Sequence, residues 1–467
     1  MQTLRISGLL LALTIGSWTN SQAQAPVVAT FPVGSATVTV SEVTPRLNVI
    51  WDMVWGPDNF LWITERYGRI SRVNPVSGQV LPLITVPDVA ANGEAGLLGM
   101  VLHPDFAANP YAYVVYTYFS QGTIKEKIVR YTYAGGVLSA PLVLLSDIPG
   151  LSGHIGSRLI ILPDRTLLVT TGDAHLLPEV QNTAFLNGKT LRLNLDGTVP
   201  ANNPIAGSYV YTKGHRNSQG LVQLPNGRIY SSEHGPNNDD EINRIEAGAN
   251  YGWPDVHGYC DLANEQAFCA ANNVREPIMA WTPTIAPGAL AYYDHPAIPA
   301  WRGSLLLAVM KNRQLLQLPL NAAGDIAMPS SAYLVNSELG RLRAICVSPQ
   351  GKVYIGTSNR DGYGNPSATD DRIVVLENRS FTPTSAGVQQ LEAAFALAPN
   401  PASTQAYVRL PAGGAHLRVL DMTGRSVREK LVSGPAATLD LVGLAAGVYL
   451  VRAQTTDGTA TRRLAIE

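Results

Sequence analysis

From Val49 to Glu377 the chain repeats one pattern: a polar turn holding a proline, then a short run of aliphatic, aromatic and β-branched residues. Gly56-Pro57-Asp58-Asn59 leads into Phe60-Leu61-Trp62-Ile63-Thr64, and Leu162-Pro163-Asp164-Arg165 into Leu167-Leu168-Val169-Thr170. Leu224-Pro225-Asn226-Gly227 precedes Ile229-Tyr230-Ser231-Ser232, and Ser348-Pro349-Gln350-Gly351 precedes Val353-Tyr354-Ile355-Gly356. Each copy reads as a turn feeding a strand. Looser copies begin at His103-Pro104-Asp105 and at Ile298-Pro299. The six prolines stand 47, 59, 62, 74 and 50 residues apart. Few segments show a helical period. A recurrence of roughly 40–50 residues built from short strands is the mark of propeller blades. The expectation is an all-β fold, a six-bladed β-propeller over 44–377; an all-β array with another blade count fits the same spacing. The turn-then-strand unit is expected to be the innermost strand of each blade, beside a central channel.

The patterning changes at both ends. Arg5 precedes the apolar stretch Ile6 to Gly16, and Ser21-Gln22-Ala23 offers small residues for cleavage, so 1–23 reads as a signal peptide. That stretch is too short to cross a bilayer, and no later run reaches roughly 18 apolar residues, so no transmembrane span is expected in the mature chain. Residues 378–394 read as a linker. From 395 to 467, short β patterns at Ala406 to Leu410, His416 to Leu420, Val448 to Ala453 and Arg462 to Ile466 predict a small C-terminal β-sandwich.

Charge narrows the function. Lys and Arg number 34 against 35 Asp and Glu in 467 residues, a balance that argues against a nucleic-acid partner. Three cysteines give neither a disulfide-built scaffold nor a Cys-x-x-Cys metal site. Cys260 and Cys269 either pair across a short loop or stay free; Cys346, in the apolar run Ala344 to Val347, reads as a buried thiol.

The strand ends are unusually polar: Glu65-Arg66, Gly172-Asp173, Glu233-His234, Lys311 and Ser358-Asn359-Arg360. In a closed β-architecture they would converge on one mouth, a usual place for a ligand. The densest stretch holds Gly214-His215-Arg216-Asn217-Ser218, Glu233-His234-Gly235-Pro236, Asp239-Asp240-Glu241 and Gly252-Trp253-Pro254. Gly153-His154-Ile155-Gly156 lies before it; Trp281-Thr282-Pro283, Lys311 and Arg341-Leu342-Arg343 follow. A neutral imidazole in a glycine-flanked loop suits proton removal from a hydroxyl.

Together these motifs resemble the soluble quinoprotein glucose dehydrogenases and aldose sugar dehydrogenases, the glucose/sorbosone dehydrogenase family, over roughly Thr44 to Glu377. The resemblance implies a propeller that binds pyrroloquinoline quinone and calcium (Ca2+) and oxidises C1 of an aldose to the lactone. It makes His154 the general base, with Arg216 and Asn217 stabilising charge on the quinone oxygen. It places Glu94, Trp281, Lys311, Arg341, Arg343 and Asn359 around the cofactor, with Trp281 stacked on it and the cations on its carboxylates. Backbone carbonyls of Gly235 and Pro236 would hold the catalytic calcium. Glu241, Tyr251, His257, Tyr259 and Asp261 would hold a second, structural ion; a solvated acidic turn is the plainer reading. The last seventy-odd residues resemble a type IX secretion sorting domain. The resemblance rests on Ala398-Pro399-Asn400-Pro401-Ala402, Val419-Leu420-Asp421-Met422-Thr423-Gly424-Arg425 and Ala446-Gly447-Val448-Tyr449-Leu450. It implies engagement with that machinery and a secreted or surface-attached product.

The chain departs from the family at Glu94, where glutamine is usual, at Ala174, and at Ile278. A carboxylate at Glu94 would repel an anionic quinone unless protonated or paired. The electron acceptor is unknown. Three other readings share the architecture: a calcium-dependent lactonase, a non-catalytic surface propeller that binds carbohydrate or protein, and a degenerate family member that no longer holds cofactor, with Glu94 and Ala174 as its symptoms.

Overall fold

The computed structural model describes residues 25–467 apart from 328, 383–390, 411–413, 423 and 456–457. The expected signal peptide and the middle of the expected linker lie outside the described residues. Strands dominate the regular structure of the described residues, with short α-helices at Leu177–Val180, Ala263–Asn272 and residues 391–394.

Six antiparallel sheets occupy residues 27–377. Five are meanders of four consecutive strands, such as Gly156–Ile161, Thr166–Thr171, Lys189–Asn194 and Val210–Lys213. The first strands of the six are Ile50–Trp55, Leu97–Leu102, Gly156–Ile161, Ser218–Gln223, Pro287–Tyr293 and Leu342–Val347. Each packs on the next, and the sixth packs back on the first, so the sheets close into a ring. The sixth sheet is the clasp. Its strands Leu342–Val347, Val353–Thr357 and Ile373–Glu377 are extended by Ala36–Thr44 and Val27–Val33 from the other end of the chain. These two strands fall before the span read from the repeat. Backbone bonds between Leu47 and Asp371, and the Val49 N–H donated to Asp371 Oδ2 at 2.9 Å, lock the same seam.

One expectation is corrected. The turn-then-strand units are the second strands, Leu61–Glu65, Thr166–Thr171, Ile229–Glu233 and Val353–Thr357, and not the innermost ones. The first strands line the axis, and they carry a buried polar network across it. Arg158 pairs with Asp52, whose Oδ2 accepts the Met100 N–H at 3.0 Å. Arg343 donates to Gln219 Oε1 at 3.2 Å, and Arg158 Nε to the Gln219 carbonyl at 3.0 Å. The charges are paired and hydrogen-bonded, the condition for burying them.

Apolar clusters fill the gaps between neighbouring sheets. Trp62, Met100 and Tyr131 join the first and second; Leu168, Leu221 and Ile245 join the third and fourth; Met53, Ile63, Cys346 and Tyr354 join the sixth and first. Each large side chain buried this way contributes about 1.5–3 kcal/mol. Cys346 is free and buried, its thiol pushed up to about 12 chiefly by that burial. Cys260 and Cys269 are disulfide-bonded.

Residues 396–466 form two further sheets. Ala396–Ala398, Gln405–Arg409 and Ala436–Asp440 make one; Ser426–Val432, Ala415–Leu420, Gly447–Thr455 and Gly458–Ile466 make the other. They share one core of Phe395, Val408, Leu417, Val451 and Leu464, distinct from those of the ring.

Candidate active site

His154 enters the site on the loop before Gly156–Ile161. Gly172 follows the neighbouring strand Thr166–Thr171, and a Cβ there would lie 1.8 Å from the His154 carbonyl oxygen, so only glycine lets the two segments meet. His154 takes φ +55°, the left-handed region. Its surroundings hold it there: the backbone N–H donates to Glu94 Oε2 at 2.9 Å.

The ring is fixed from both sides. Nδ1 lies 2.9 Å from Asp173 Oδ1, and Nε2 lies 2.9 Å from an Arg216 guanidinium nitrogen. A carboxylate only accepts and a guanidinium only donates. The ring proton therefore sits on Nδ1, and Nε2 offers a lone pair. Asp173 is fully buried. Burial pushes its carboxyl up, but the His154 bond and charge, the His175 N–H and the Trp253 indole N–H together hold it below the usual range.

Arg216 also donates to the His234 carbonyl at 3.1 Å and lies over the Trp253 ring, 5.4 Å from its centroid. Its backbone N–H is held by Glu233, which also accepts from His215 Nδ1 at 2.9 Å and Ser218 at 2.8 Å. Asn217 accepts from the Gly156 N–H at 3.0 Å and donates to Glu94 at 3.2 Å. Glu94 is thus paired. Burial raises its pKa, but the charges of His234 and Arg343 and the His154 N–H outweigh burial and keep it below the ordinary value.

Glu94, His154, Arg216, Asn217, Gly235 and Pro236 line one open cavity of about 200 Å³. The Gly235 turn is tight: a Cβ there would meet the Asn238 carbonyl at 1.9 Å. Asp240 staples it, accepting from Gly235 N–H at 2.8 Å and from the Ile285 and Ala286 N–H groups at 2.6 and 2.7 Å. Thr284, on the rim, accepts from Lys311 Nζ at 2.8 Å. That contact leads to a second cavity of about 520 Å³, lined by Lys311, Arg313, Arg341, Asn359 and Tyr363.

The cations are less free than the sequence suggested. Asp361 pairs with Arg341 at 2.8 Å and Arg343 at 3.3 Å. Arg343 lies over the Trp51 ring at 4.2 Å. Asn359 is used structurally, accepting the Arg341 N–H and donating to the Leu339 carbonyl. Trp281, expected as a stacking platform, lines neither cavity; it ends Met279–Trp281 and packs on the apolar cluster of Leu224, Ile242 and Leu290.

Gly235, Pro236, Glu241, Tyr251 and His257 line a third, small space with Arg216 and Glu233. Glu241 accepts from Gly258 N–H at 2.9 Å and Asn243 at 2.8 Å, and its carboxyl is pushed up to about 8 by burial and the charge of Glu233. Tyr251 is buried, donating to the Arg244 carbonyl at 2.6 Å. Tyr259 and Asp261 are exposed and do not line this space. Reading the sequence missed the supporting roles of Glu233, Asp240 and Asp361. Their only signal was an acid at a strand end or in a turn, which surface residues share.

A closed all-β ring with an oriented base, cationic side chains and backbone turns at one mouth is an enzyme-like site. The chain belongs to the glucose/sorbosone dehydrogenase family, whose match spans residues 47–364. Residues 396–467 match the secretion system C-terminal sorting domain. The chain is 35% identical to quinoprotein glucose dehydrogenase B of Acinetobacter calcoaceticus, over 72% of this chain and 88% of that one. It is 29% identical to the aldose sugar dehydrogenase YliI of Escherichia coli, over 70% and 92%. The solved PQQ-bound aldose sugar dehydrogenase of Streptomyces coelicolor superposes with a TM-score of 0.65 at 33% identity, covering 73% of this chain and 98% of that one.

Proposed function

We propose that this chain is an exported quinoprotein that oxidises C1 of an aldose to the lactone, built as a six-bladed β-propeller followed by a small β-sandwich. Family membership makes it a sugar oxidoreductase dependent on pyrroloquinoline quinone. The observation that carries the mechanism is His154 held between Asp173 and Arg216 with its Nε2 lone pair facing a cavity-lining arginine.

The residues fit the cofactor. Arg216 Nε is buried without a partner, an unspent donor at the cavity that holds the base. Lys311 and Arg341 line the adjoining cavity, where carboxylates of the quinone would bind. The carbonyls of Gly235 and Pro236 are hard oxygen donors suited to calcium. Glu241 fits a second ion, because a cation beside it would relieve the repulsion from Glu233. When bound, the quinone supplies the hydride acceptor and calcium the Lewis acid.

The protein's own part follows from its hydrogen bonds. An aldose C1 hydroxyl presented to Nε2 takes the place of the arginine contact, and His154 accepts its proton. Asp173, ionised and aligned on Nδ1, stabilises the imidazolium that results. Arg216, released from the ring, turns its fork to the oxygen where negative charge develops. The sorting domain directs export through type IX machinery.

The test is calorimetric titration of pyrroloquinoline quinone into the mature chain with and without calcium. One site per chain, weakened by chelation and by Arg341→Ala, is expected. No binding in excess calcium would leave the quinoprotein reading without support.

A further inference from the structure

The loop after Asp173 carries a group that the dehydrogenase mechanism does not use. The His175 ring lies on the His154 ring, with centroids 3.9 Å apart and planes 30° from parallel. Its backbone N–H donates to the same Asp173 Oδ1 that faces His154 Nδ1, at 2.8 and 2.9 Å. Ala174 and His175 both take left-handed φ values, +49° and +57°, which turn the chain back over the base. One ring nitrogen from each histidine and a carboxylate oxygen of Asp173 lie within 4.8 Å of one another. His175 is exposed and Asp173 buried, so the group opens to solvent on one side and is anchored on the other.

We propose that His154, Asp173 and His175 form a site for one divalent transition-metal ion of the zinc type, and that its occupation switches the base off. Two imidazoles and a carboxylate suit zinc, copper or nickel, whereas calcium prefers oxygen ligands alone. The Trp253 indole N–H on Asp173 Oδ2, at 2.9 Å, is the outer bond that orients a ligating carboxylate.

The switch follows from the tautomer. His154 Nδ1 is the nitrogen that faces Asp173. An ion there binds the lone pair uncovered when the Nδ1 proton leaves, and the neutral ring takes a proton from solvent on Nε2. No net proton is released from the ring. Nε2–H cannot accept a proton from a sugar hydroxyl, and it faces the Arg216 donor, which must withdraw. Proton abstraction and metal ligation therefore need opposite tautomers of one ring.

Zinc titrated calorimetrically into the full mature chain in excess calcium tests the site. The expected result is one zinc per chain. His175→Ala and His175→Gln should weaken binding by more than the roughly 10- to 100-fold that loss of an outer-shell partner costs. Unchanged melting of both variants, expected for an exposed residue, confirms that the fold is kept. Equal zinc affinity in His175→Ala, or no binding at millimolar zinc, overturns the proposal. In quinone-loaded enzyme, zinc should inhibit the parent chain and spare His175→Ala; inhibition that survives in the variant overturns the switch. The binding arm needs no sugar turnover, so it stands apart from the dehydrogenase reading.

Discussion

The direction of each hydrogen bond at His154 decides what that ring can do. Asp173 accepts on one side, Arg216 donates on the other, and the lone pair is left on Nε2, the nitrogen that the proposed function turns to the sugar. An amide in place of Asp173 can donate to Nδ1 and move the proton to Nε2. Asp173→Asn should therefore lower turnover by roughly 10²- to 10⁴-fold with little change in sugar KM, as steady-state kinetics would show. Glu94 is a different case. His234, Arg343 and the His154 N–H favour its ionised form, yet under the proposed function it would sit beside an anionic quinone. Glu94→Gln should tighten quinone binding by about 1 kcal/mol, read by calorimetry. At this scale the sequence was partly legible. His154 and Arg216 stood out because their neighbours are glycines and polar residues. Glu233, Asp240 and Asp361 did not, because what they do depends on which backbone amides and cations the ring brings to them.

At the scale of single elements, two loops decide how firmly the site is held. Lys189, fully buried, donates to the carbonyls of Glu179, Val180 and Asn187 at 3.1, 2.7 and 2.7 Å. Asn187 in turn donates to the Asp173 carbonyl at 3.0 Å. The lysine thus ties down the loop that carries Asp173. Lys189→Met leaves those carbonyls unsatisfied and should cost on the order of 2–4 kcal/mol in denaturant unfolding. Asp361 clamps Arg343, on the strand Leu342–Val347, and Arg341 just before it. Burial raises its pKa, but the two arginines and the Tyr363 N–H more than offset that, so the folded value lies below the unfolded one. The clamp's contribution is complete above about pH 4 and is lost as pH falls through the folded value. Melting temperatures followed from neutral to acid pH should show the gap between the parent and Asp361→Asn closing in acid. The turn-then-strand copies were readable because proline and glycine punctuate them. The first strands, which line the axis, have no such signal, and their buried Asp52, Arg158 and Arg343 look like surface charge in a linear reading. Trp281 shows the same dependence on topology: its strand is the outer one of the fourth sheet, paired at Asp240, and the half-buried indole packs on the adjacent apolar cluster.

For the whole molecule, closure is the central fact. Strands from the two ends of residues 27–377 share one sheet, so the ring has a clasp that brings the polar strand ends to one mouth. The C-terminal sheets have their own core. Deleting 396–467 should leave sugar-dependent turnover in the cell extract while the chain no longer appears outside the cell, which activity measured in the two fractions would reveal. The most direct test of the account is reconstitution. The mature chain, given calcium and pyrroloquinoline quinone, is followed by dye reduction over a panel of aldoses, beside His154→Ala. Aldose-dependent reduction is expected, abolished by chelation and lowered by roughly 10²- to 10⁴-fold in the variant. Quinone that binds without turnover on any aldose, or turnover undiminished in His154→Ala, would contradict it.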